Sequence, residues 1–215
     1  MSPTAAPRAS SGVRPPQQAR SRAALQRLLA SAEHVLINDG FEEFTIARVA
    51  EHAGVSVGGV YRRFASKEQL IDAVRRELLA RLETGMTDAL DAAQPSLAGV
   101  LDALTAALSQ TLADSGRVIP AILAGGPSAE APEQALRMLT TLQRRFFDAA
   151  APHRDQIRHP DPDTALTLAF RSVIAASVHR AAVSPVWPDG LTWPQWAREI
   201  AGMTTAYLTA ERPHR

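Results

Sequence analysis

The chain has 215 residues and contains no cysteine. A disulfide framework, a thiolate nucleophile and a cysteine-ligated zinc are therefore excluded. No stretch approaches the roughly eighteen continuous apolar residues that a membrane helix needs, and the N-terminus lacks the apolar segment of a signal peptide. These absences predict a cytoplasmic chain without membrane contact.

Strands and catalytic motifs are lacking as well. No segment alternates apolar and polar residues as a strand does, so no glycine-rich phosphate loop follows one, and no Ser/His/Asp arrangement can be assembled. Metal-ligating residue types cluster only in a proline-rich segment: His153, His159, Asp161 and Asp163. Their spacing matches no known metal motif, and Asp161 is placed to cap a helix that opens at Pro162. We expect no enzyme, no metal site and no cofactor.

Positive charge is concentrated at the N-terminal end. The formal net charge is only +1, yet residues 1–83 hold twelve Arg and Lys against nine Asp and Glu, while residues 84–215 hold eleven against thirteen. Lys67 is the only lysine. This asymmetry favours contact between the N-terminal end and a polyanion.

Helical periodicity runs almost throughout from Arg22, which predicts an all-α fold. We expect a three-helix domain over residues 21–66 and a C-terminal helical bundle over residues 67–211. A helix opened by Ser66, with Gln69 in capping-box spacing, joins the two, and five further helices follow. Residues 1–20 contain three arginines and no acid, which predicts a disordered basic arm. The alternative is an arm that lies along phosphates or enters a minor groove.

Residues 45–70 have the spacing and turn chemistry of a helix-turn-helix. Thr45 can cap a first helix, and Gly54 can adopt the left-handed conformation that ends it. Its buried residues would be Ile46, Val49, Ala50 and Ala53. Ser56 can cap a second helix, with Val55 and Val60 pointing into a small core. Five residues would then face outward: Val57, Gly58, Gly59, Arg62 and Arg63.

The segment GVSVGGVYRRFASKEQL, residues 54–70, resembles the TetR family of bacterial transcriptional regulators. Members of that family show Gly-Val-Ser, an aliphatic-Tyr pair, a Phe, and Ser-Lys-Glu before an apolar helix, and all are present here. The resemblance covers roughly residues 22–82. It implies an N-terminal domain that binds double-stranded DNA and a C-terminal domain that binds a small-molecule effector and forms a homodimer.

Individual DNA contacts can be assigned from side-chain chemistry. Arg63, and with it Arg62, can fork onto guanine O6 and N7 or clamp a phosphate, while Tyr61 and Lys67 suit phosphate. The alternatives are a solvated surface residue for Arg62 and a core ring for Tyr61. Val57 and Gly59 depart from the polar or basic residues that family members often carry. The full predicted set is Thr45, Ser56, Val57, Gly58, Gly59, Tyr61, Arg62, Arg63 and Lys67.

Two predictions concern the C-terminal bundle. A mostly apolar effector pocket is predicted at Phe146, Phe147 and Phe170, for which ordinary core packing is the alternative. A stripe of small residues and the last helix predict a four-helix contact across a two-fold axis, with packing inside one subunit as the alternative. The predicted dimer residues are Ala165, Ala169, Ser172, Ala176, His179, Trp196, Ile200, Met203 and Tyr207.

The length of the reading helix also favours a dimer. A helix of about nine residues is roughly 14 Å long and covers only a few base pairs, so two copies reading an inverted repeat are expected.

Two functional classes remain. One is a repressor released by a small molecule; the other is a DNA-binding regulator without such an effector, controlled by a partner protein or by abundance.

Overall fold

The computed structural model describes residues 17–116, 118–123 and 131–211. These residues form nine α-helices, one 3-10 segment and no strand, so the predicted all-α fold is confirmed. The α-helices are α1 (Gln17–Glu43), α2 (Ile46–Ala53), α3 (Val57–Tyr61), α4 (Lys67–Asp91), α5 (Leu97–Ser115), α6 (Val118–Leu123), α7 (Ala131–Ala150), α8 (Pro162–Val183) and α9 (Trp193–Thr209). The 3-10 segment, Ala151–Gln156, follows α7.

Helix α1 begins earlier than the sequence pattern indicated. Gln17 to Arg20, predicted to belong to the arm, form its first turn, because glutamine, alanine and arginine favour helix. The rest of the arm, residues 1–16, lies outside the described residues. Gly40, with a left-handed φ of 78°, interrupts the helix three residues before its end at Glu43. Phe44, just beyond, is fully buried in the core.

Helix α4 connects the first three helices with the C-terminal helices. It opens at Ser66, whose Oγ accepts from the Gln69 N–H at 3.3 Å, while Gln69 Oε1 accepts from the Ala65 N–H at 2.9 Å. The return bond of the predicted capping box therefore reaches one residue further back than expected. The helix contacts α1 on one side and α5 and α7 on the other. Its buried residues continue to Leu90, so one core extends through both domains.

The C-terminal domain has the five helices that its punctuation predicted. The α5 stripe, Leu97, Leu101, Leu104, Leu108 and Leu112, is buried throughout and faces α4, α8 and α9. Asp161 caps α8 by accepting from the Thr164 N–H at 3.1 Å. Thr192 and Gln195 form the predicted capping box of α9, with both reciprocal bonds present.

Arg180 holds the connection between α8 and α9. Its guanidinium donates to both carboxylate oxygens of Asp189, at 2.7 and 3.0 Å, and to the carbonyl of Leu191 at 2.6 Å. The same group lies 4.2 Å from the ring centroid of Trp193. Hydrogen bonds from Arg180 lower the pKa of Asp189 to about 2. Because that pKa is depressed from 3.8, the pair stabilises the fold at neutral pH, and this contribution decreases as the pH falls below about 4 and is lost below about 2.

Helix α8 is long and apolar enough to cross a membrane by length and composition alone. Over eighteen of its 22 residues the mean hydropathy is 1.2, and 39% of that window is buried within the protein. Charged and polar residues interrupt the apolar sequence of α8, so the helix does not contain a continuous apolar run. Its buried residues, among them Phe170 and Val173, belong to the core, and the core helix of a globular protein passes the same test.

Arg75 is a charged residue in the middle of the α4 core. Its side chain is 1% exposed, and its Nη1 donates to Asp72 Oδ1 at 2.7 Å. Its Nε and Nη2 have no hydrogen-bond partner among the described residues. The Asp72 side chain is 26% exposed, so this carboxylate is the hydrated partner of a desolvated cation.

We therefore expect the two halves of this pair to differ in their effect on stability. Asp72→Ala leaves an unpaired buried cation and should lower the free energy of unfolding by about 3 to 5 kcal/mol. Arg75→Met removes the buried charge, fills similar space and leaves Asp72 to water, so its effect should be much smaller. Urea unfolding of both variants measures the difference. An Arg75→Met protein less stable than Asp72→Ala would contradict this account.

Candidate nucleic-acid interface

Helix α2 and its exit turn form as the sequence predicted. Thr45 Oγ1 accepts from the Arg48 N–H at 3.3 Å, and Ile46, Val49 and Ala50 are buried. Gly54 ends the helix at φ 65° and ψ 35°. The Gly54 N–H donates to the Glu51 carbonyl at 3.1 Å and the Val55 N–H to the Ala50 carbonyl at 3.0 Å. This pair of bonds is the Schellman arrangement, which satisfies the last carbonyls of α2 and reverses the chain.

Helix α3 is shorter than expected. It spans five residues instead of the predicted nine or so, which is about 7.5 Å at the usual rise per residue. Gly58 and Gly59 weaken its helical preference. Beyond it, the N–H groups of Arg63 and Phe64 both donate to the Val60 carbonyl, at 2.9 and 3.0 Å, and turn the chain toward α4. Arg63 therefore lies just past the reading helix rather than on it.

One side of α3 is anchored and the other is open. Val60 is fully buried, as predicted, whereas Val57 is 43% exposed and Tyr61 51% exposed. The alternative that Tyr61 is a core ring is thus wrong. The prediction that Val55 points into the core is also wrong, because the left-handed residue before it turns Val55 outward and leaves it 46% exposed. Ala53 is half-buried and packs against the core.

The cationic residues of this surface have different environments. Arg62 and Arg63 are exposed, and the Arg62 guanidinium lies over Gly59, where an added Cβ would be 3.6 Å from Nη2. Lys67 is half-buried; its Nζ donates to the Phe41 carbonyl at 3.4 Å and lies 5.7 Å from the Phe44 ring centroid. Lys67 thus fastens the start of α4 to the last turn of α1, which sequence spacing did not indicate. The ammonium retains further protons for a phosphate.

The two capping hydroxyls can still take part in DNA contacts. Ser56 Oγ accepts from the Gly59 N–H at 3.0 Å, as Thr45 Oγ1 accepts from Arg48. Both side chains are used as acceptors, which leaves each O–H proton available to a phosphate oxygen. Both residues are exposed. This surface therefore combines hydroxyl donors and guanidinium groups with exposed apolar side chains, which is the chemistry needed for phosphate and base-edge contacts.

The aromatic residues predicted to line an effector pocket pack on one another. Phe146 and Phe170 are buried, with ring centroids 5.8 Å apart, and Phe147 meets Phe146 edge to face at 6.2 Å. This is the packing of core side chains, the alternative that the sequence left open. A role in ligand binding stays a prediction for these three residues.

The predicted dimer residues divide between the interior and the surface. Ala165, Ala169 and Ile200 are buried inside the subunit, so their assignment to an intersubunit face was wrong; the facing helices of the same chain cover them. Trp196 is half-buried, and its Nε1 donates to Ser177 Oγ at 3.1 Å. The others remain at the surface of the subunit: Ser172, His179 and Met203 exposed, Ala176 and Tyr207 half-buried.

Sequence reasoning missed one apolar residue on the same side of α8. Leu168 is 48% exposed, and it was not among the residues predicted for the dimer face. The signal was its position four residues before Ser172, on the face that also carries His179. An exposed leucine beside small residues extends the surface that a second subunit could cover.

The potential metal ligands near residue 160 are occupied by local structure. Asp161 caps α8, and His159 Nδ1 lies 3.0 Å from the Asp161 N and 2.8 Å from its O. Asp163 accepts from Arg154 Nη1 at 2.6 Å, and this hydrogen bond lowers the pKa of the Asp163 carboxyl. Within residues 17–116, 118–123 and 131–211, no group of three or more His, Asp or Glu side chains is placed to hold a metal ion.

The N-terminal part of the chain is similar in sequence to known proteins. The model of bacterial regulatory proteins of the tetR family matches residues 28–74. The HTH-type transcriptional regulator BetI 2 of Chromohalobacter salexigens is 33% identical over 72 residues, which are 34% of this chain and 33% of that protein. The chain thus matches about a third of the length of this curated relative.

Solved structures share the fold over most of the chain. A protein of Mesorhizobium loti assigned to the TetR family has a TM-score of 0.66 at 19% identity, covering 88% of this chain and 96% of that one. The transcriptional regulator FadR from Bacillus subtilis, in complex with stearoyl-CoA, has a TM-score of 0.66 at 12% identity, covering 85% and 98%. The chain thus combines a sequence match to the tetR family over residues 28–74 with a fold that these solved structures share over most of its length.

Proposed function

We propose that the protein is a cytoplasmic, dimeric, sequence-specific DNA-binding regulator, and that it acts as a repressor released from an inverted-repeat operator by a mostly apolar small molecule. One observation carries the DNA-binding part. Helix α3 is anchored through the fully buried Val60, while Val57, Tyr61 and the two arginines that follow are exposed on its open side. Selection of bound fragments from random DNA tests the proposal, with an inverted repeat as the expected product.

The position of each residue suggests its contact. The N-terminal residues of a recognition helix approach base edges most closely, which assigns Val57 to a thymine methyl and Gly58 to close backbone approach. Arg63 leaves the end of α3 on a long, flexible side chain and is assigned to a guanine. Tyr61, Thr45 and Ser56 hold hydroxyls that are suited to phosphate.

Substitutions of Arg63 and Tyr61 should therefore weaken DNA binding in different ways. Arg63→Ala should cost roughly 1 to 3 kcal/mol and relax the preference at one base pair, since a bidentate base contact carries sequence information. Tyr61→Phe keeps the exposed ring and removes only the hydroxyl, so it should weaken all sequences alike. Binding to a panel of single-base operator variants separates the two patterns.

Identical, sequence-independent losses for both variants would contradict the assignment of Arg63 as a base reader. Lys67→Ala is a poorer phosphate probe than Tyr61→Phe. Its ammonium also holds the Phe41 carbonyl, so any loss of affinity mixes DNA contact with local stability. Thermal melting of each variant without DNA shows whether such a structural effect is present.

Gly58 allows a test of close backbone approach. A Cβ at Gly58 meets nothing within 4 Å in the free protein, and the same holds for Gly85 in α4. Alanine at either position should stabilise its helix by up to about 1 kcal/mol. Only Gly58→Ala should weaken operator binding, by about tenfold or roughly 1.4 kcal/mol, because its methyl group would stand between backbone and bases.

Gly85→Ala is the matched control, since it changes helix stability far from the reading surface. Unfolding midpoints and operator affinity are measured for both variants. Operator affinity that is unchanged in Gly58→Ala would mean that the backbone does not come close to the bases.

The short length of α3 favours DNA binding by two subunits. Because five residues span even less of the major groove than nine would, a single subunit makes few base contacts, and a second subunit doubles both contacts and counterion release. The outward face of α8 and α9 is the proposed contact between subunits. It combines the exposed Leu168 and Met203 with small residues that allow close helix approach.

Ser172 is the best position to test this contact, because its side chain is exposed in the subunit and can be enlarged without disturbing the fold. Ser172→Arg would bring a charge from each subunit into a close helix contact. A buried unpaired charge costs several kcal/mol, so the dimer should dissociate and operator binding should fall with it. Sedimentation measures the outcome, with Thr140→Arg on the exposed side of α7 as control. A fully dimeric Ser172→Arg protein would place the subunit contact elsewhere.

The effector part of the proposal rests on likeness. The structural relative FadR was solved with stearoyl-CoA, and α4 links the two domains of this chain. If a small molecule favours a conformation with wrongly spaced reading helices, the operator must weaken its binding by the same factor, typically about 5- to 150-fold. The other candidate, control by a partner protein or by abundance, is favoured if native mass spectrometry finds no small molecule that binds.

A further inference from the structure

A groove of about 800 Å³ runs along the surface between α5 and α9. Much of its lining consists of residues with small side chains or none: Ala98, Ala106, Ala197, Gly202 and Ala206. Such a lining leaves room for a slender molecule and offers it apolar contact along its length. The groove is separate from the Phe146, Phe147 and Phe170 cluster.

The two helices cross this groove in opposite directions. The Leu97 N–H donates to Gln156 Oε1 at 3.2 Å, and the Arg158 N–H donates to the Leu208 carbonyl at 2.9 Å. These bonds bring the start of α5 to the end of α9. Ala98 therefore lies toward the Thr209 end of the groove, whereas Ser109 and Arg198 lie together toward the opposite end.

Ser109 presents an unsatisfied polar atom to this end. Its side chain lines the groove and is 2% exposed, and its Oγ has no hydrogen-bond partner among the described residues. Buried polar side chains nearly always have a partner. The neighbouring Thr105, also buried, illustrates the rule, since its Oγ1 donates to the Asp102 carbonyl at 3.2 Å. A polar group of a molecule bound in the groove would supply the missing partner of Ser109.

The charged residues that line the groove indicate which class of ligand it can bind. Arg198 lines the Ser109 end, and no ion pair links it to another residue in the part of the chain that the structure describes. A guanidinium binds carboxylates with good geometry and strength. Asp102 also lines the groove but lies toward the Thr209 end, where it would repel a second carboxylate.

We propose that the groove binds an elongated monocarboxylate, with its carboxylate on Arg198 and the Ser109 hydroxyl and its apolar body along the small residues toward Thr209. The proposal rests on the proposed function in one respect: the bound molecule is the effector. Binding itself requires only the groove.

The Ser109 end of the groove is held in place by contacts already described. Trp193 lines it, and the Arg180 guanidinium packs 4.2 Å from the Trp193 ring centroid while holding Asp189 with two hydrogen bonds. A fixed aromatic wall reduces the ordering that a ligand must impose on binding. Trp193 also provides an intrinsic fluorescence signal at the site.

The test measures binding of decanoate, 1-decanol and decanedioate to the full chain by calorimetry and tryptophan fluorescence, at concentrations below aggregation of each probe. We expect one decanoate per subunit, and weaker binding of the decanedioate because of Asp102. Arg198→Gln should lower decanoate affinity about tenfold or more and leave 1-decanol nearly unchanged, since a charged hydrogen bond is lost. Arg144→Gln, an exposed arginine on α7, is the control.

Two further variants guard against trivial loss of folding. Ser109→Val keeps the volume and removes the unsatisfied hydroxyl, so it should raise or preserve the melting temperature while lowering decanoate affinity. Ala106→Phe should fill the groove and abolish binding of both decanoate and 1-decanol. The proposal would be overturned if decanoate does not bind or binds all variants equally. It would also be overturned if decanedioate binds as tightly as decanoate. An Ala106→Phe chain that loses its dimer would also overturn it, since the groove would then be a subunit contact.

Operator binding measured in parallel separates this proposal from the proposed function. If decanoate binds with the expected variant pattern and leaves operator affinity unchanged, the groove site stands and the effector role falls. If the chain binds no operator at all, the DNA-binding proposal fails while the calorimetric result still decides the groove.

Discussion

The packing of α4 against both domains is the constraint on which the rest of the structure depends. One side of this helix lies against α1, where Arg81 pairs with Glu33, and another lies against α5 and α7. Its apolar side chains are buried from Leu70 to Leu90, so the helix has no exposed hinge on its inner face. A close-packed element of this kind moves as a unit. Any displacement of the C-terminal bundle along α4 must therefore reach Ser66 and the turn that positions α3.

The parts of the fold that were predicted from sequence are those that local chemistry determines. Gly54 and Ser56 act through their own backbone and side-chain bonds, and both form the cap that was expected of them. The same is true of the caps at Asp161 and Thr192. Each depends on atoms within five residues, so no knowledge of the distant chain was needed. The burial of the α5 leucines follows from their helical spacing alone, because helices α4, α8 and α9 together cover that face of α5.

The errors concern properties that only the assembled molecule determines. Periodicity shows which residues share a face but not which helix covers it, so Ala165 and Ile200 were assigned to a partner subunit when the same chain buries them. The ammonium of Lys67 meets Phe41, which is 26 residues away in sequence, and no spacing rule indicates that contact. The length of α3 was overestimated because the two bonds to the Val60 carbonyl end it before Arg63. The groove could not be predicted from the sequence, because small residues on two separate helices form it together.

Helix α9 links this groove to the proposed subunit contact. One side of it faces α5 and lines the groove with Ala197, Gly202 and Ala206, while another carries Met203 to the surface beside α8. Because α9 is a single short helix of 17 residues, any displacement of its groove side also displaces its opposite side. If two subunits meet at this surface as proposed, a molecule that pushes α9 away from α5 also alters their contact, and with it the separation of the two copies of α3. Under the proposed function, a ligand signal would have two routes from the bundle to DNA, through α4 within a subunit and through α9 between subunits, and a ligand in the α5 and α9 groove would act first on the second.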